Sequence, residues 1–315
     1  MHSDELHRLL AGVDDLVSLP RGAQPAALNA LLTSLPPLSS NEEWNTEFGS
    51  NSLFDAWTRN TLTQSLYQAN AKEIRAVLSG RQNWRIIEIG GGDGRLWGEA
   101  LGADDRGELL VIDPVAAAST QVAQRLPGGV KFQAHTGLVQ EFLGDLPDAD
   151  LVVCSLTLHH VAGEDSTSRT QFGLPGPGKL EVLKALSACL AARAGVGLIN
   201  EANIFCDLQL APGDPVLVSN LLDSYVRRTA VSLCDDIRNR SDADDDLRAR
   251  WGTIMRRWCL EQVNLSQVSR SDRDVYELDV PRWEDLLRRA GFVIQSRSCT
   301  DVHDLFYQYV VTPSV

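Results

Sequence analysis

A glycine-rich turn between a predicted strand and a predicted helix is the segment of this sequence best suited to binding a cofactor. Residues 86–96 read IIEIGGGDGRL, with a carboxylate at Glu88 and glycines at Gly90, Gly92 and Gly94. Glycine lets the backbone approach a bound molecule closely, and a helix that starts directly after the turn points its first N–H groups at that molecule. The spacing therefore predicts a nucleotide-type cofactor loop.

Two common nucleotide sites do not match the residues around these glycines. A phosphate-binding P-loop requires Gly-Lys-Ser or Gly-Lys-Thr, which this segment lacks. A dinucleotide site has its third glycine where the helix packs tightly against the strand, and that position holds Arg95.

The segment closely resembles the E/D-x-G-x-G-x-G loop of class I, Rossmann-like S-adenosylmethionine-dependent methyltransferases. The resemblance implies that the loop, through Gly90, Gly92 and Gly94, wraps the methionine part of S-adenosylmethionine, with Glu88 near its amino group. It covers roughly residues 84–312, without the N-terminal region and most of an insertion.

Four further residues are candidates for the same cofactor site. Asp113 follows the second strand at the distance where a carboxylate accepts both ribose hydroxyl protons, although an aspartate there is also an ordinary turn residue. By resemblance, Thr136 stands where the family commonly has an aspartate for the adenine amine, and Thr136 and Leu138 are expected to line the adenine pocket. Ser155 ends a strand that resembles the segment below the transferred methyl group.

Candidates for the chemical step follow the fourth and fifth predicted strands. Methyl transfer from a sulfonium is an in-line displacement, so the protein has to align the acceptor and, where needed, remove a proton. His159 and His160 are each interpreted as a general base, a metal ligand or a packing residue. Glu201 is interpreted as a catalytic carboxylate or a solvated one.

A metal-assisted reaction is a further hypothesis. Glu201, Cys206 and His303, joined or not by His160, would offer oxygen, sulfur and nitrogen ligands to zinc or a similar divalent ion. No short spacing links them, and Cys206 is equally interpreted as a small buried apolar residue. A divalent ion that chelates an α-keto acid would stabilise the enolate and permit C-methylation. The chain is also similar to α-keto acid C-methyltransferases of secondary metabolism.

An α/β fold is expected to position these residues. Short apolar runs alternate with helical segments, which predicts a Rossmann-like, mostly parallel seven-stranded sheet with helices on both faces. The runs are Arg85–Ile89, Leu109–Ile112, Val130–Ala134, Leu151–Ser155, Val196–Asn200, Phe292–Arg297 and Phe306–Val311. Residues 1–80 are predicted to form a helical cap and 81–315 the methyltransferase domain, with a helical insertion at about 205–275 that shapes a pocket or a homodimer interface.

The composition argues against several kinds of binding partner. A net charge of −13 without a basic cluster argues against nucleic acid, and no apolar stretch reaches the length that spans a membrane. Six cysteines without a C-x-x-C pair predict reduced thiols and a soluble, cytoplasmic protein. The predicted function is methyl transfer to a small-molecule acceptor. O- or N-methylation with a histidine base, protein methylation and non-catalytic cofactor binding are the alternatives.

Overall fold

The computed structural model describes residues 3–35, 53–174, 176–204, 210–267 and 275–314. The helices of these residues are α1 (Ser3–Ser18), α2 (Gln24–Ser34), α3 (Leu53–Thr58), α4 (Thr61–Leu78), α5 (Arg95–Ala100), α6 (Ala116–Arg125), α7 (Ser166–Gln171), α8 (Lys179–Ala191), α9 (Pro215–Ser224), α10 (Val231–Asn239), α11 (Asp245–Gln267) and α12 (Val280–Arg289). The strands are β1 (Trp84–Ile89), β2 (Gly107–Asp113), β3 (Val130–Thr136), β4 (Leu151–Ser155), β5 (Val196–Ala202), β6 (Phe292–Cys299) and β7 (Phe306–Pro313).

The seven strands form one sheet in the order β3-β2-β1-β4-β5-β7-β6. Strands β1 to β5 are parallel, and β7 runs antiparallel to both β5 and β6. This confirms the predicted α/β fold class. Each predicted run lies in a strand, and several strands are longer, because neighbouring strands supply hydrogen-bond partners beyond the apolar residues.

Helices cover both faces of the sheet. On one face, Ile74 of α4 and Trp97 of α5 join a cluster of buried sheet residues that includes Ile86 and Val153. On the other face a second cluster contains buried residues of α8 and α12. Because both faces are buried, the central strands read as continuous apolar runs rather than as alternating ones.

The chain divides into two compact units, which are 1–65 with 204–273 and 301–305, and 66–203 with 274–300 and 306–315. The first unit joins N-terminal helices to the insertion. Within it, Trp251 Nε1 donates a 2.7 Å hydrogen bond to the carbonyl of Ala56, and Asp236 accepts a 2.7 Å bond from the Thr61 amide. The second unit contains the sheet. The domain boundaries predicted from the sequence, 1–80 and 81–315, stay a prediction.

No helix among the described residues is long and apolar enough to cross a membrane.

Candidate cofactor and acceptor site

The sheet has a topological switch point between β1 and β4. From β1 the strand order proceeds to β2 and β3 on one side, and from β4 to β5 on the other. In open α/β sheets, ligands bind in the crevice outside the carboxyl ends of the strands at such a point. The glycine-rich loop after β1 and the turn after β4 lie at this crevice.

Gly90 and Gly94, both with positive φ, could not be replaced without displacing a neighbour. Gly90 has φ +78°, and a Cβ there would lie 2.3 Å from Thr157 Oγ1. Gly94 has φ +70°, and a Cβ there would lie 2.5 Å from the backbone Cα of Val122. The first glycine therefore lets the turn after β4 approach the loop, and the second lets α6 pack against it.

Glu88 lies beneath this loop. Its side chain is buried and Oε2 accepts a 2.5 Å hydrogen bond from Trp97 Nε1. A Cβ added at Gly91 would lie 3.4 Å from the same oxygen, so the carboxyl group reaches the underside of the loop backbone. Burial, with smaller contributions from Asp113 and Asp93, raises the pKa of Glu88 to about 8.

Asp113 ends β2 and caps two backbone amides. Oδ2 accepts a 3.3 Å hydrogen bond from the Gly92 amide, and Oδ1 accepts a 2.7 Å bond from the Val115 amide. Burial raises the pKa of this carboxyl group. Asp113 pairs in register with Thr136 at the end of β3, where Thr136 and the following Leu138 are exposed.

The turn after β4 is held by the side chain of Glu201 on β5. Oε1 accepts hydrogen bonds from the amides of Thr157 at 3.1 Å and Leu158 at 2.6 Å, and Oε2 lies 2.9 Å from His159 Nδ1. Leu156 adopts φ +52° at the start of this turn, a strained conformation for a branched side chain. The carboxylate satisfies amides that a sharp turn leaves without strand partners.

Glu201 is fully buried, and burial raises its pKa to about 7, against the opposing effect of the Leu158 and Thr157 amides. A third group joins this pair, because ligand atoms of His159, Glu201 and Glu277 all lie within 4.8 Å of one another. Glu277 is buried and precedes α12. The three side chains form what we call the carboxylate–histidine cluster.

The structure brings together only some of the predicted catalytic and metal residues. His159 and Glu201 are in contact, and the His160 ring packs on that of His159 with centroids 4.2 Å apart. His303 belongs to the first compact unit and Glu201 to the second. Cys206 lies outside the described residues. The metal set that joins these three residues stays a prediction.

A second group of polar side chains lies on the opposite face of β5, and only Ser155 among them was a candidate from the sequence. Asn70 of α4 donates a 3.2 Å hydrogen bond to Ser155 Oγ and accepts a 2.8 Å bond from Gln308 Nε2. Asn200 of β5 pairs in register with both Ser155 and Gln308. We call these four residues the amide cluster. The sequence did contain a sign of this cluster, since Asn200 and Gln308 interrupt apolar strands. Only the strand order and the register show that these residues are neighbours.

Glu277 was also missed by sequence reasoning. It lies about 75 positions from Glu201 in a segment without glycine or strand periodicity. Backbone pairing explains its position, because the Tyr276 amide donates a 2.7 Å hydrogen bond to the carbonyl of His159.

No family model matches this sequence, and no curated protein matches it. Solved structures do resemble the fold. One is the N-methyltransferase NodS from Bradyrhizobium japonicum WM9 in complex with S-adenosyl-L-homocysteine, with 12% identity, a TM-score of 0.48, and coverage of 86% of this chain and 97% of that one.

Two others are magnesium protoporphyrin IX methyltransferase (ChlM) from Synechocystis PCC 6803 with bound S-adenosylhomocysteine and the mitomycin 7-O-methyltransferase MmcR. The first has 12% identity, a TM-score of 0.45 and coverage of 83% and 94%. The second has 13% identity, a TM-score of 0.42 and coverage of 94% and 74%. At these identities and TM-scores the similarity does not identify a substrate or a reaction.

Proposed function

We propose that this protein is an enzyme that transfers a methyl group from S-adenosylmethionine to a small-molecule acceptor. The observation that carries the proposal is the Glu88 carboxyl group buried directly beneath a glycine-rich loop at the switch point of the sheet. In a dinucleotide site a pyrophosphate occupies such a loop. A carboxylate there would repel a pyrophosphate and attract a sulfonium or an ammonium group.

The residues present fit S-adenosylmethionine along the edge of the sheet. Glu88 and the loop are suited to the methionine part, and Asp113 on the next strand is suited to the two ribose hydroxyl groups. Thr136 and Leu138, exposed at the end of β3, are suited to the adenine. Ser155 and the turn after β4 would then face the methyl group. When bound, S-adenosylmethionine supplies an electrophilic methyl group on a cationic sulfur.

The carboxylate–histidine cluster supports proton removal from the acceptor. Glu201 lies 2.9 Å from His159 Nδ1, so it can fix the orientation and tautomer of the ring, as the acid of a catalytic triad does. His159 would then be the general base for O- or N-methylation, and His160, packed on it, a positioning residue. A pKa of Glu201 near 7 makes the charge of this pair sensitive to neutral pH.

A divalent metal ion is the second candidate use of the same cluster. The nearby ligand atoms of His159, Glu201 and Glu277 provide one nitrogen and two carboxylates, a donor set that suits zinc or a similar ion. Such an ion would supply Lewis-acid stabilisation of the enolate of an α-keto acid, which is the chemistry that C-methylation requires. The α-keto acid C-methyltransferases of secondary metabolism, which the sequence was expected to resemble, are the model for this version.

Calorimetric titration of the purified protein with S-adenosylmethionine and, separately, with NAD tests the cofactor. We expect micromolar binding of S-adenosylmethionine and none of NAD. Binding of NAD alone, or of neither, would contradict the proposal. Binding without methyl transfer to any acceptor would favour a non-catalytic cofactor-binding protein, and transfer only to polypeptides would favour a protein methyltransferase.

Zinc titration of metal-stripped protein distinguishes the two uses of the cluster. Metal-assisted C-methylation predicts about one zinc per chain, bound much more weakly in Glu277→Gln because that variant loses a ligand, and activity on α-keto acids that a chelator abolishes. General-base catalysis predicts activity that survives the chelator and is lost in His159→Ala. A cytoplasmic location, a homodimer and the absence of nucleic-acid and membrane partners stay part of the proposal.

A further inference from the structure

Polar residues form one row across the sheet at the level where the strands end. Asp113 pairs with Thr136, Ser155 with Asn200, and Asn200 with Gln308. On β2 and β4, the partners of Ile89 directly precede Asp113 and Ser155. Gly90 directly follows Ile89, so it lies at the same level of the sheet as Asp113 and Ser155. From one edge towards the other, the row reads Thr136, Asp113, Gly90, Ser155, Asn200, Gln308.

The two halves of this row differ in charge. The half formed by β3, β2 and β1 has Asp113 in the row and Glu88 two residues before Gly90 on the same face. The half formed by β4, β5 and β7 has Ser155, Asn200 and Gln308, which carry no charge. Since the first half suits a cofactor with cationic groups, the second half is left for the methyl acceptor.

Asn200 is the exceptional member of the uncharged half. Its side chain is fully buried, and neither Oδ1 nor Nδ2 has a hydrogen-bond partner within the part of the chain that the structure describes. The other amides of the cluster are hydrogen-bonded, since Gln308 donates to Asn70 and Asn70 donates to Ser155. Buried polar groups are satisfied in most native structures, so a buried amide with neither function paired calls for a partner from outside the chain, such as a ligand, an ion or water.

We propose that Asn200 binds the methyl acceptor through an uncharged group that both donates and accepts hydrogen bonds, an amide or a hydroxyl. This inference rests on the proposed function and specifies the acceptor of the same site. The side chain offers one acceptor oxygen and one donor NH₂, and a group with both functions satisfies the two together. A carboxylate or an ammonium ion would lose hydration without meeting an opposite charge among the residues of the amide cluster.

Stability measurements test whether the Asn200 amide is kept for binding rather than for folding. Asn200→Leu replaces it by an apolar side chain of similar size, and Asn70→Leu does the same to a hydrogen-bonded amide of the cluster. Thermal unfolding is expected to show an unchanged or raised Tm for Asn200→Leu and a lowered Tm for Asn70→Leu. If the Tm of Asn200→Leu and that of Asn200→Ala both fall as far as the Tm of Asn70→Leu, the Asn200 amide has a structural role and the proposal is overturned.

Nuclear magnetic resonance tests the chemistry of the ligand. In protein saturated with S-adenosylhomocysteine, the side-chain NH₂ signal of Asn200, assigned by its loss in the variants, is followed while propionamide, propionate or propylammonium is added. Propionamide should shift the signal saturably and bind about tenfold more tightly than either ion, and Asn200→Leu should remove that preference. An equal or larger response to an ion, or no response to any probe, would overturn the proposal.

The outcomes also separate this inference from the proposed function. If S-adenosylhomocysteine fails to bind the wild-type protein, the proposed function fails whatever the probes do. If it binds wild-type and Asn200→Leu proteins with the same Kd and propionamide has no effect on Asn200, only the assignment of the acceptor group fails.

Discussion

Replacing Glu88 by glutamine should remove a pH dependence from S-adenosylmethionine binding. Folding raises the pKa of Glu88 from 4.5 to about 8, chiefly by burial. The ionised form attracts the cationic cofactor, so at pH 7 binding first requires loss of a proton. One unit between pH and pKa costs about 1.4 kcal/mol, which weakens binding about tenfold.

The wild-type protein should therefore release about 0.9 proton per cofactor bound at pH 7, and its affinity should rise about 30-fold from about pH 6.5 to about pH 9 before the cofactor's own titration is subtracted. Calorimetry in buffers of different ionisation enthalpy measures the released protons directly. Glu88→Gln should release none from this group, because a glutamine Oε1 still accepts from Trp97 but carries no charge.

Glu99→Gln is the matched control. Glu99 lies on the same short helix as Trp97, is exposed, and its substitution changes the net charge equally. It should retain the proton release of the wild type. The same proton release and the same pH dependence in Glu88→Gln as in the wild type would refute the placement of the cofactor above this carboxyl group.

Three further predictions concern stability and binding. Glu201→Gln should flatten the pH dependence of unfolding. Between pH 4.5 and about 7 the folded wild-type protein keeps a proton on Glu201 that the unfolded chain releases, so its free energy of unfolding falls by up to about 3 kcal/mol as the pH rises. Urea denaturation measures this slope, and an equal slope in the variant would contradict the prediction. Gly94→Ala should destabilise the protein by about 2–4 kcal/mol, because the added Cβ meets Val122 Cα. Gly98→Ala, where the nearest neighbour of the added Cβ lies at 3.9 Å, should be neutral or stabilising. Similar Tm values for the two variants would argue against the close approach of Val122 to Gly94. Asp113→Ala should weaken S-adenosylhomocysteine binding about 10- to 100-fold in calorimetry, and unchanged affinity would remove its ribose role.

Much of the fold could be predicted because its determinants are local. The apolar runs of β1 to β5 and the glycines of the loop encode strands and a tight turn within a few residues, so the strands fall where the sequence predicted them. The position of Asp113 at the end of β2 was predictable for the same reason, and its role towards a ribose stays a prediction. The position of β7 between β5 and β6 was not predicted, because it depends on pairing between segments more than a hundred residues apart.

The candidate acceptor site depended far more on tertiary structure. His159 and Glu201 were identified separately by residue type, but their 2.9 Å contact follows from the pairing of β4 with β5. Glu277 lacked any local pattern. No local motif marks Asn200 or Gln308 in the sequence. They become neighbours only because β5 and β7 pair in antiparallel register.

The sequence by itself determined the strands, the glycine-rich loop and the carboxylates that follow strands, since backbone propensity and hydrophobic periodicity act over short distances. Tertiary structure alone decided which distant side chains share a face and a level of the sheet. A one-residue change of register would move Asn200 to the other face and replace it with Glu201, exchanging an uncharged site for a charged one. The chemistry of the proposed acceptor side is therefore set by strand order and register.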